Sequence, residues 1–265
     1  AYFLSDRFRL PQVIGFVVAV AVFLCLIAGG SGIRALLGLV LSLALLAGWS
    51  LPMILAGHPP VGVALVSVAV IAALTVLVVL RKRRCWAVAF AGSLGGAVGA
   101  FLVGWLTVFF WQLNGLGSQE GALLASTMPA LSMEGVLLAS VIIGAIGAVL
   151  DVAVSITSAM SELADYDREI PRARLFQAGM NVGRDILGSM INTLILAYFG
   201  SSLVVALLIA SSGTGFFSLV NDPMIAQEIC RGLAGTVGLL STIPLTSFVG
   251  MLLLAGGRPR PGENT

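Results

Sequence analysis

Uninterrupted apolar stretches of about 20 residues recur along this chain, and they restrict its fold more than any other feature. A helix of that length crosses a hydrocarbon core about 30 Å thick, whereas barrel strands are about half as long and alternate in polarity. The chain is 58% hydrophobic and 10% charged, while a soluble domain carries about 25% charged residues. We therefore predict an all-α integral membrane protein, with residues 1–265 as one transmembrane domain.

The apolar stretches predict a helical bundle of about eight transmembrane helices. Their approximate limits are 10–28, 35–55, 61–80, 86–111, the two arms of a hairpin over 141–199, 201–219 and 224–254. The sequence Gly29-Gly30-Ser31-Gly32 predicts a tight turn, since a phosphate loop would need a preceding strand and a Lys-Ser/Thr end. Pro244 is expected to kink or interrupt the last helix.

The hairpin, which bends at 161–172, is the polar centre of the chain. In its first arm, small and polar residues recur at spacings of three and four and so share one helical face. They are Gly144, Gly147, Asp151, Ser155, Ser158 and Glu162. The second arm repeats the pattern with Gln177, Asn181, Arg184, Gly188 and Asn192, beside Asp185 and Ser189. Because lipid penalises such a face, we expect it to meet other helices or water.

Two hairpin charges are predicted to lie at similar depth. Asp151 is about 13 Å inside the membrane if the first arm leaves it near Met160, and Arg184 is about 15 Å inside if the second arm enters near Arg174. We expect these two side chains to pair, directly or through water. Asp185 then needs another partner.

The last predicted helix carries a third polar stripe and supplies a candidate partner for Asp185. The stripe comprises Glu228, Arg231, Gly235, Gly238 and Thr242. Arg231 and Asn192 are the candidate partners of Asp185. The predicted substrate- or ion-binding site inside the bundle comprises Asp151, Ser155, Ser158, Asn181, Arg184, Asp185, Asn192, Glu228 and Arg231.

Other binding classes have little support in the sequence. His58 is the only histidine, and the three cysteines stand alone, so we predict no metal site, no cofactor and no catalytic residue. The net charge of +2 does not indicate a nucleic-acid partner. The predicted partners are the lipid bilayer and a small solute or ion.

The basic run Arg81-Lys82-Arg83-Arg84 predicts the orientation, because positively charged loops stay in the cytoplasm. Eight spans then put both termini outside, with eight basic loop residues inside and four outside. The outside group includes Arg258 and Arg260. The sequence begins without Met or a signal-peptide pattern, and we expect a further segment upstream.

The fourth predicted helix carries small residues on one face, where they allow close helix packing. Gly92, Gly96, Ala100 and Gly104 form this face. Their partner could be a helix of the same chain or of a second copy in a homo-oligomer.

Three segments resemble the YibE/F family of bacterial multi-pass membrane proteins: GAIGAVLDVAVSITSAMSEL, RLFQAGMNVGRDILGSMINTLILAYFGSSL and IAQEICRGLAGTVGLLSTIPLT. Leu150 departs from the methionine that family members often carry, which is a volume-conserving change. The resemblance implies a bacterial cytoplasmic membrane location. It also implies an N-terminal anchor helix and an extracytoplasmic domain upstream of these spans. It assigns no biochemical role.

The residues leave three function classes open. A secondary transporter, with or without proton coupling, fits the buried acids beside Arg, Ser, Thr and Asn. A structural or assembly protein fits if the charges only hold helices together. An intramembrane hydrolase would need a motif such as GxGD or HExxH, and both are absent, so we do not predict an enzyme.

Overall fold

The computed structural model describes residues 10–80, 82–167, 169–211, 213 and 221–255, and these are helices joined by short connections. The helices are α1 (Leu10–Leu45), α2 (Leu51–Leu55), α3 (Pro60–Val79), α4 (Arg83–Trp111), α5 (Gln119–Thr127), α6 (Met133–Tyr166), α7 (Arg172–Ser201), α8 (Leu203–Ser211) and α9 (Pro223–Leu254), with a π-helical turn at Leu46–Ser50. No strand occurs in these ranges. The predicted all-α membrane class is confirmed.

Six segments of the described chain are long and apolar enough to cross a membrane, fewer than the eight predicted. They are Pro11–Gly30, Gly32–Leu55, Pro60–Val79, Arg83–Trp111, Met133–Tyr166 and Pro223–Leu254. The 30-residue α7 is about 45 Å long, but its charges and amides keep it out of this group. The predicted span 201–219 contains the nine-residue α8, and its remaining part includes 212 and 214–219, which lie outside the described residues.

The predicted turn near Gly29 is present as a sharp break inside α1. Gly29 has φ 56° and ψ −136°, which is not a helical conformation. A Cβ on Gly32 would lie 2.8 Å from the carbonyl oxygen of Leu24, so the chain folds back closely at this point. Beyond it, Ser50 and Ser67 share a 2.6 Å hydrogen bond that ties the π-helical turn to α3.

The core lies around α6, which packs against α3, α4, α7 and α9. Val149, Val152 and Ile156 of α6 are completely buried. The most extensive helix contact is that of α4 with α9, where a Cβ on Gly238 would lie 2.9 Å from the carbonyl oxygen of Gly96. At this contact two helix backbones touch, as small residues permit.

The small-residue face of α4 therefore packs within the chain. Gly92 contacts Thr246 of α9. A Cβ added to Gly104 would lie 3.1 Å from Val141 of α6. Of the two partners left open by the sequence, the structure shows a helix of the same chain. A homo-oligomer through Gly92, Gly96 and Gly104 would need these contacts to open.

The basic loop and the hairpin bend lie at the same end of the bundle. The ammonium of Lys82 contacts the carboxylate of Asp165, close to the end of α6, and it also donates to Ser161 at 3.3 Å. The two segments are therefore at one end of the bundle, and their location on the cytoplasmic side stays a prediction.

The direction of α9 differs from the one that eight spans predict. The start of α9 lies at the opposite end from Lys82, because a Cβ on Gly117, which precedes α5, would stand 3.0 Å from the amide nitrogen of Met224. Near the other end of α9, a Cβ added to Gly250 would lie 3.4 Å from Val88, which is close to the start of α4. The described part of α9 thus ends on the side of the basic loop, which differs from what eight spans predict, and the positions of the two termini stay a prediction.

The reason is that α7 ends and α9 begins at the same end of the bundle. Phe199 and Ser202, at the end of α7, line one cavity with Ile225 and Glu228 near the start of α9. Arg258 and Arg260, counted as outside residues, lie outside the described residues.

Candidate functional site

Local capping defines both arms of the hairpin and the start of α9. Ser132 accepts a 3.1 Å hydrogen bond from the amide of Gly135 and so caps α6, while Pro171 immediately precedes α7. Asp222 accepts from the amide of Met224 at 2.9 Å, with proline at the first position of α9. These are favourable helix starts, and they fix where each helix begins.

The polar stripe of α6 lies on the outer surface of the chain. Asp151, Ser155, Gly144, Gly147 and Glu162 are exposed and Ser158 is half-buried. The opposite face of α6, which contains Val149 and Ile156, fills the core. The expectation that this stripe faces the inside of the bundle is therefore wrong for the single chain. Spacing identifies which residues share a face, but packing decides which face is covered.

The polar stripe of α7 is also outward. The helix buries only a narrow line, Leu175, Gly179 and Gly183. Its exposed residues include all the predicted polar ones: Gln177, Asn181, Arg184, Asp185, Gly188, Ser189 and Asn192. Because α7 lies in the groove between α6 and α9, its small residues point inward and its charges point outward.

Tyr198 brings the two stripes together. Its hydroxyl lies beside Gly144, where an added Cβ would stand 2.6 Å away. Arg184 precedes Tyr198 by fourteen residues, close to four full turns, so both leave α7 on the side of α6. We call the joined surface the hairpin strip. It comprises Gly144, Gly147, Asp151 and Ser155 of α6 with Asn181, Arg184, Gly188 and Asn192 of α7.

The register of the hairpin puts Asp151 and Arg184 about one turn apart. A Cβ on Gly183 would lie 3.1 Å from Cδ1 of Ile156, so these two residues are level. Because the two arms are antiparallel, Arg184 is then level with Ser155. Ser155 is four residues, or about 6 Å along the helix, from Asp151. The two charges share one surface, but the predicted equal depth is shifted by a turn.

Asp151, Arg184 and Asp185 make no hydrogen bond or ion pair within the part of the chain that the structure describes. The direct Asp151–Arg184 contact predicted from the sequence is therefore not made inside one chain. Unpaired charges near the middle of a membrane helix are costly, by at least about 3 kcal/mol on insertion scales. The hairpin strip consequently needs water, an ion or another protein surface against it.

Arg231 forms a separate polar cluster rather than a partner for Asp185. Its guanidinium contacts the carboxylate of Glu228 on the preceding turn of α9, and its Nε donates to Ser140 of α6 at 3.1 Å. Both side chains of the ion pair are mostly buried. Sequence reasoning missed Ser140, although it extends the α6 stripe by one more step of four residues.

Tyr198 separates this cluster from the hairpin strip. An added Cβ on Gly232 of α9 would lie 3.8 Å from the Tyr198 ring, whose hydroxyl reaches Gly144. On the α9 side, Tyr198 and Glu228 border a partly open cavity of about 230 Å³ that is otherwise almost entirely apolar. Of the nine predicted site residues, seven therefore lie on α6 and α7, in or next to the hairpin strip. The other two are Glu228 and Arg231 of the separate cluster.

The third stripe, on α9, faces the interior. Gly235, Gly238 and Thr242 are buried. A Cβ added to Gly235 would lie 2.8 Å from Cδ2 of Leu194 on α7. The helix continues through Pro244 without an interruption, and the alternative expectation, a kink at this residue, stays a prediction. No group of three or more His, Cys, Asp or Glu residues that could hold a metal occurs among the described residues.

Comparison with known proteins gives one match. A family model described as YibE/F-like protein matches residues 16–256, which include both arms of the hairpin and all of α9. No curated protein and no solved structure matches significantly. The predicted family resemblance is confirmed.

Proposed function

This chain belongs to the YibE/F-like family of membrane proteins, and from that premise we propose that it is a secondary transporter of a small solute or ion. The transported species moves along the hairpin strip. We further propose the cytoplasmic membrane of a bacterium as its location, with the basic loop on the cytoplasmic side.

The observation that carries this proposal is a set of charges without partners on a strip that follows the two hairpin arms. Lys82 and Arg231 have carboxylate partners within the chain. Asp151, Arg184 and Asp185 have none in the described ranges. Charges that serve only to hold helices together are expected to be paired, whereas charges on a transport path must be available to water, protons or solute.

Each group on the strip has a role in this mechanism. Asp151 is the acid that binds and releases the coupling proton. Arg184 is its counter-ion or the anchor for an anionic solute. The oxygen atoms of Ser155, Asn181 and Asn192 replace water around the solute as it passes. Asp185 supplies a second carboxylate on the outward side of α7.

A route through the core of the chain is less suitable. The α4–α9 contact has no space for a solute, because a Cβ on Gly96 would collide with Thr242 and stand 3.0 Å from the carbonyl oxygen of Gly238. An added Cβ on Gly99 would also lie 2.7 Å from Ser241. This close packing favours a rigid core that supports the outward strip.

The alternative is a structural or assembly protein. The outward position of the hairpin strip favours it, because an exposed polar surface in a membrane can also be a binding surface for another protein. In that case the charges on the strip affect assembly and stability, and no solute crosses the bilayer.

Reconstitution in proteoliposomes tests the proposal. Vesicles that contain an entrapped pH-sensitive dye are given inward gradients of sodium, potassium, magnesium, chloride or inorganic phosphate in turn. At least one gradient is expected to drive proton movement with the native chain, and Asp151→Asn is expected to abolish it. Glu162→Gln is the matched control, because Glu162 is on the same face of α6 near the bend.

The result that would overturn the proposal is equally direct. Folded native protein that moves no protons or tracer ions under any of these gradients would favour the assembly role. An Asp151→Asn variant with native flux would remove Asp151 from the coupling step.

A further inference from the structure

We infer that a second copy of this chain covers the hairpin strip, with Asp151 of one copy facing Arg184 of the other. The inference goes beyond the proposed transport function, because the strip needs a cover in the membrane whether or not a solute moves. If transport occurs, the second copy forms the other wall of the path.

Two glycines on the strip have no explanation within one chain. An added Cβ would find no atom within 4 Å at Gly147 or at Gly188. The glycines in the α4–α9 contact, by contrast, each touch a neighbouring helix. A glycine in a helix interior costs about 1 kcal/mol relative to alanine, and in membranes it is used where another helix approaches closely.

These open glycines flank the unpaired charges. Gly147 precedes Asp151 by four residues, and Gly188 follows Arg184 by four, so each glycine shares a face with its charge. The places where another helix can approach most closely are therefore next to the side chains that need a partner.

The strip is complementary to itself. It carries an acid on α6 and a base on α7, so two copies related by a twofold axis make two identical contacts, Asp151 with Arg184 and Arg184 with Asp151. An axis along the membrane normal keeps every residue at its own depth. The axial offset across the interface is then the same 6 Å or so as within the chain, which the long arginine side chain can bridge.

The rest of the outer surface suits lipid instead. Exposed Phe16, Phe23, Leu102, Phe109 and Phe110 lie on α1 and α4, helices whose charged residues are Arg34, Arg83 and Arg84 and which contain no acid. The hairpin strip differs from this surface in having an acid and a base together with open glycines. One surface that contains both members of the ion pair favours a second copy over an unrelated partner helix.

A charge-exchange experiment tests the contact directly. Two differently tagged copies are expressed in one membrane, and capture of one tag is followed by measurement of the other. Native copies should capture each other. Asp151→Arg in both copies, or Arg184→Asp in both copies, should lower capture about tenfold, corresponding to about 1.4 kcal/mol.

The mixed pair separates contacts between copies from contacts within one. When one copy carries Asp151→Arg and the other Arg184→Asp, both contacts between copies regain opposite charges, and capture should return. Pairing within a chain would not be restored by this mixture. Glu162→Arg in both copies is the control, since it reverses an acid on the same α6 face about three turns away, and it should leave capture unchanged.

Oxidative cross-linking gives a second measurement that does not depend on charged variants inserting normally. In a background without Cys25, Cys85 and Cys230, Gly147→Cys or Ser155→Cys should give a disulfide-linked dimer. Val98→Cys, exposed near the middle of α4, should not. The inference is overturned if native copies fail to capture each other, if the mixed pair captures no better than either variant alone, or if Val98→Cys cross-links as well as the strip positions. Neither readout requires transport, so a dimer without flux would refute only the proposed function.

Discussion

Gly183 of α7 packs directly against Ile156 of α6, with 3.1 Å between an added glycine Cβ and Cδ1 of the isoleucine. The same glycine also meets Ile243 of α9. This one position therefore seats α7 in the groove between two helices and sets the register of the hairpin. The separation of Asp151 and Arg184 by about one turn follows from it.

The first prediction concerns the packing of Gly183 against Ile156 and Ile243. Gly183→Ala should lower the free energy of unfolding by about 1–3 kcal/mol, because the added methyl group overpacks a filled contact. Helix propensity alone would change stability in the opposite direction by about 1 kcal/mol. Thermal unfolding in lipid nanodiscs measures the effect. Gly15→Ala is the control, since an added Cβ there has no neighbour within 4 Å; equal behaviour of the two variants would contradict the packing.

The second prediction concerns the ion pair of α9. Arg231→Met should destabilise the protein by about 1–3 kcal/mol, because it leaves the mostly buried carboxylate of Glu228 without its partner. Adding Glu228→Gln to that variant should recover part of the loss. Unfolding of the two variants in the same nanodiscs provides the comparison, and a double variant less stable than the single one would argue against the pairing.

The third prediction concerns the ends of the bundle. A fluorescent protein fused after Thr265 should report the same side of the membrane as a cysteine label at Asp167, because α9 ends beside the hairpin bend. A label at Glu120, before α6, should react from the other side. Labelling of Glu120→Cys from the cytoplasmic side alone would reverse the orientation, and a fusion on the side of Glu120 would contradict the direction of α9.

The fourth prediction concerns the unpaired charges. Arg184→Ala alone should lower the amount of folded protein in the membrane more than Arg184→Ala combined with Asp151→Asn. The reason is that, in the inferred pair of copies, the single change leaves the Asp151 carboxylate without the Arg184 of the other copy at membrane depth. Fluorescence-detected size-exclusion chromatography measures this, with Gln177→Ala as an uncharged control on the same face. Strictly additive effects would indicate that Asp151 and Arg184 do not interact.

Helical periodicity predicted the membership of each polar face correctly. Asp151 and Ser155 share a face, and so do Asn181 and Arg184, because a rotation of about 100° per residue is a local property of the chain. The cap at Asp222 was also predictable, since the side chain that accepts the bond lies within two residues of the amide that donates it.

Periodicity could not say which way a face points. The stripes of α6 and α9 have the same spacing, yet Asp151 is exposed while Gly238 is buried against Gly96. The difference depends on the neighbours that each helix finds after the chain has folded, and those neighbours are distant in sequence. The register of the hairpin and the start of α9 at the end of the bundle where α7 ends have the same origin.

The sequence by itself determined that this is a helical membrane protein, which residues share each polar face, and which family it belongs to. These follow from composition, local periodicity and motif, all of which are properties of short stretches. Only the tertiary structure decided that the hairpin strip faces outward, that Arg231 pairs with Glu228 and Ser140, and that α9 ends beside the basic loop. Those outcomes depend on which face of each helix packs into the core. In α6 the apolar face around Ile156 is buried and the polar face stays outside.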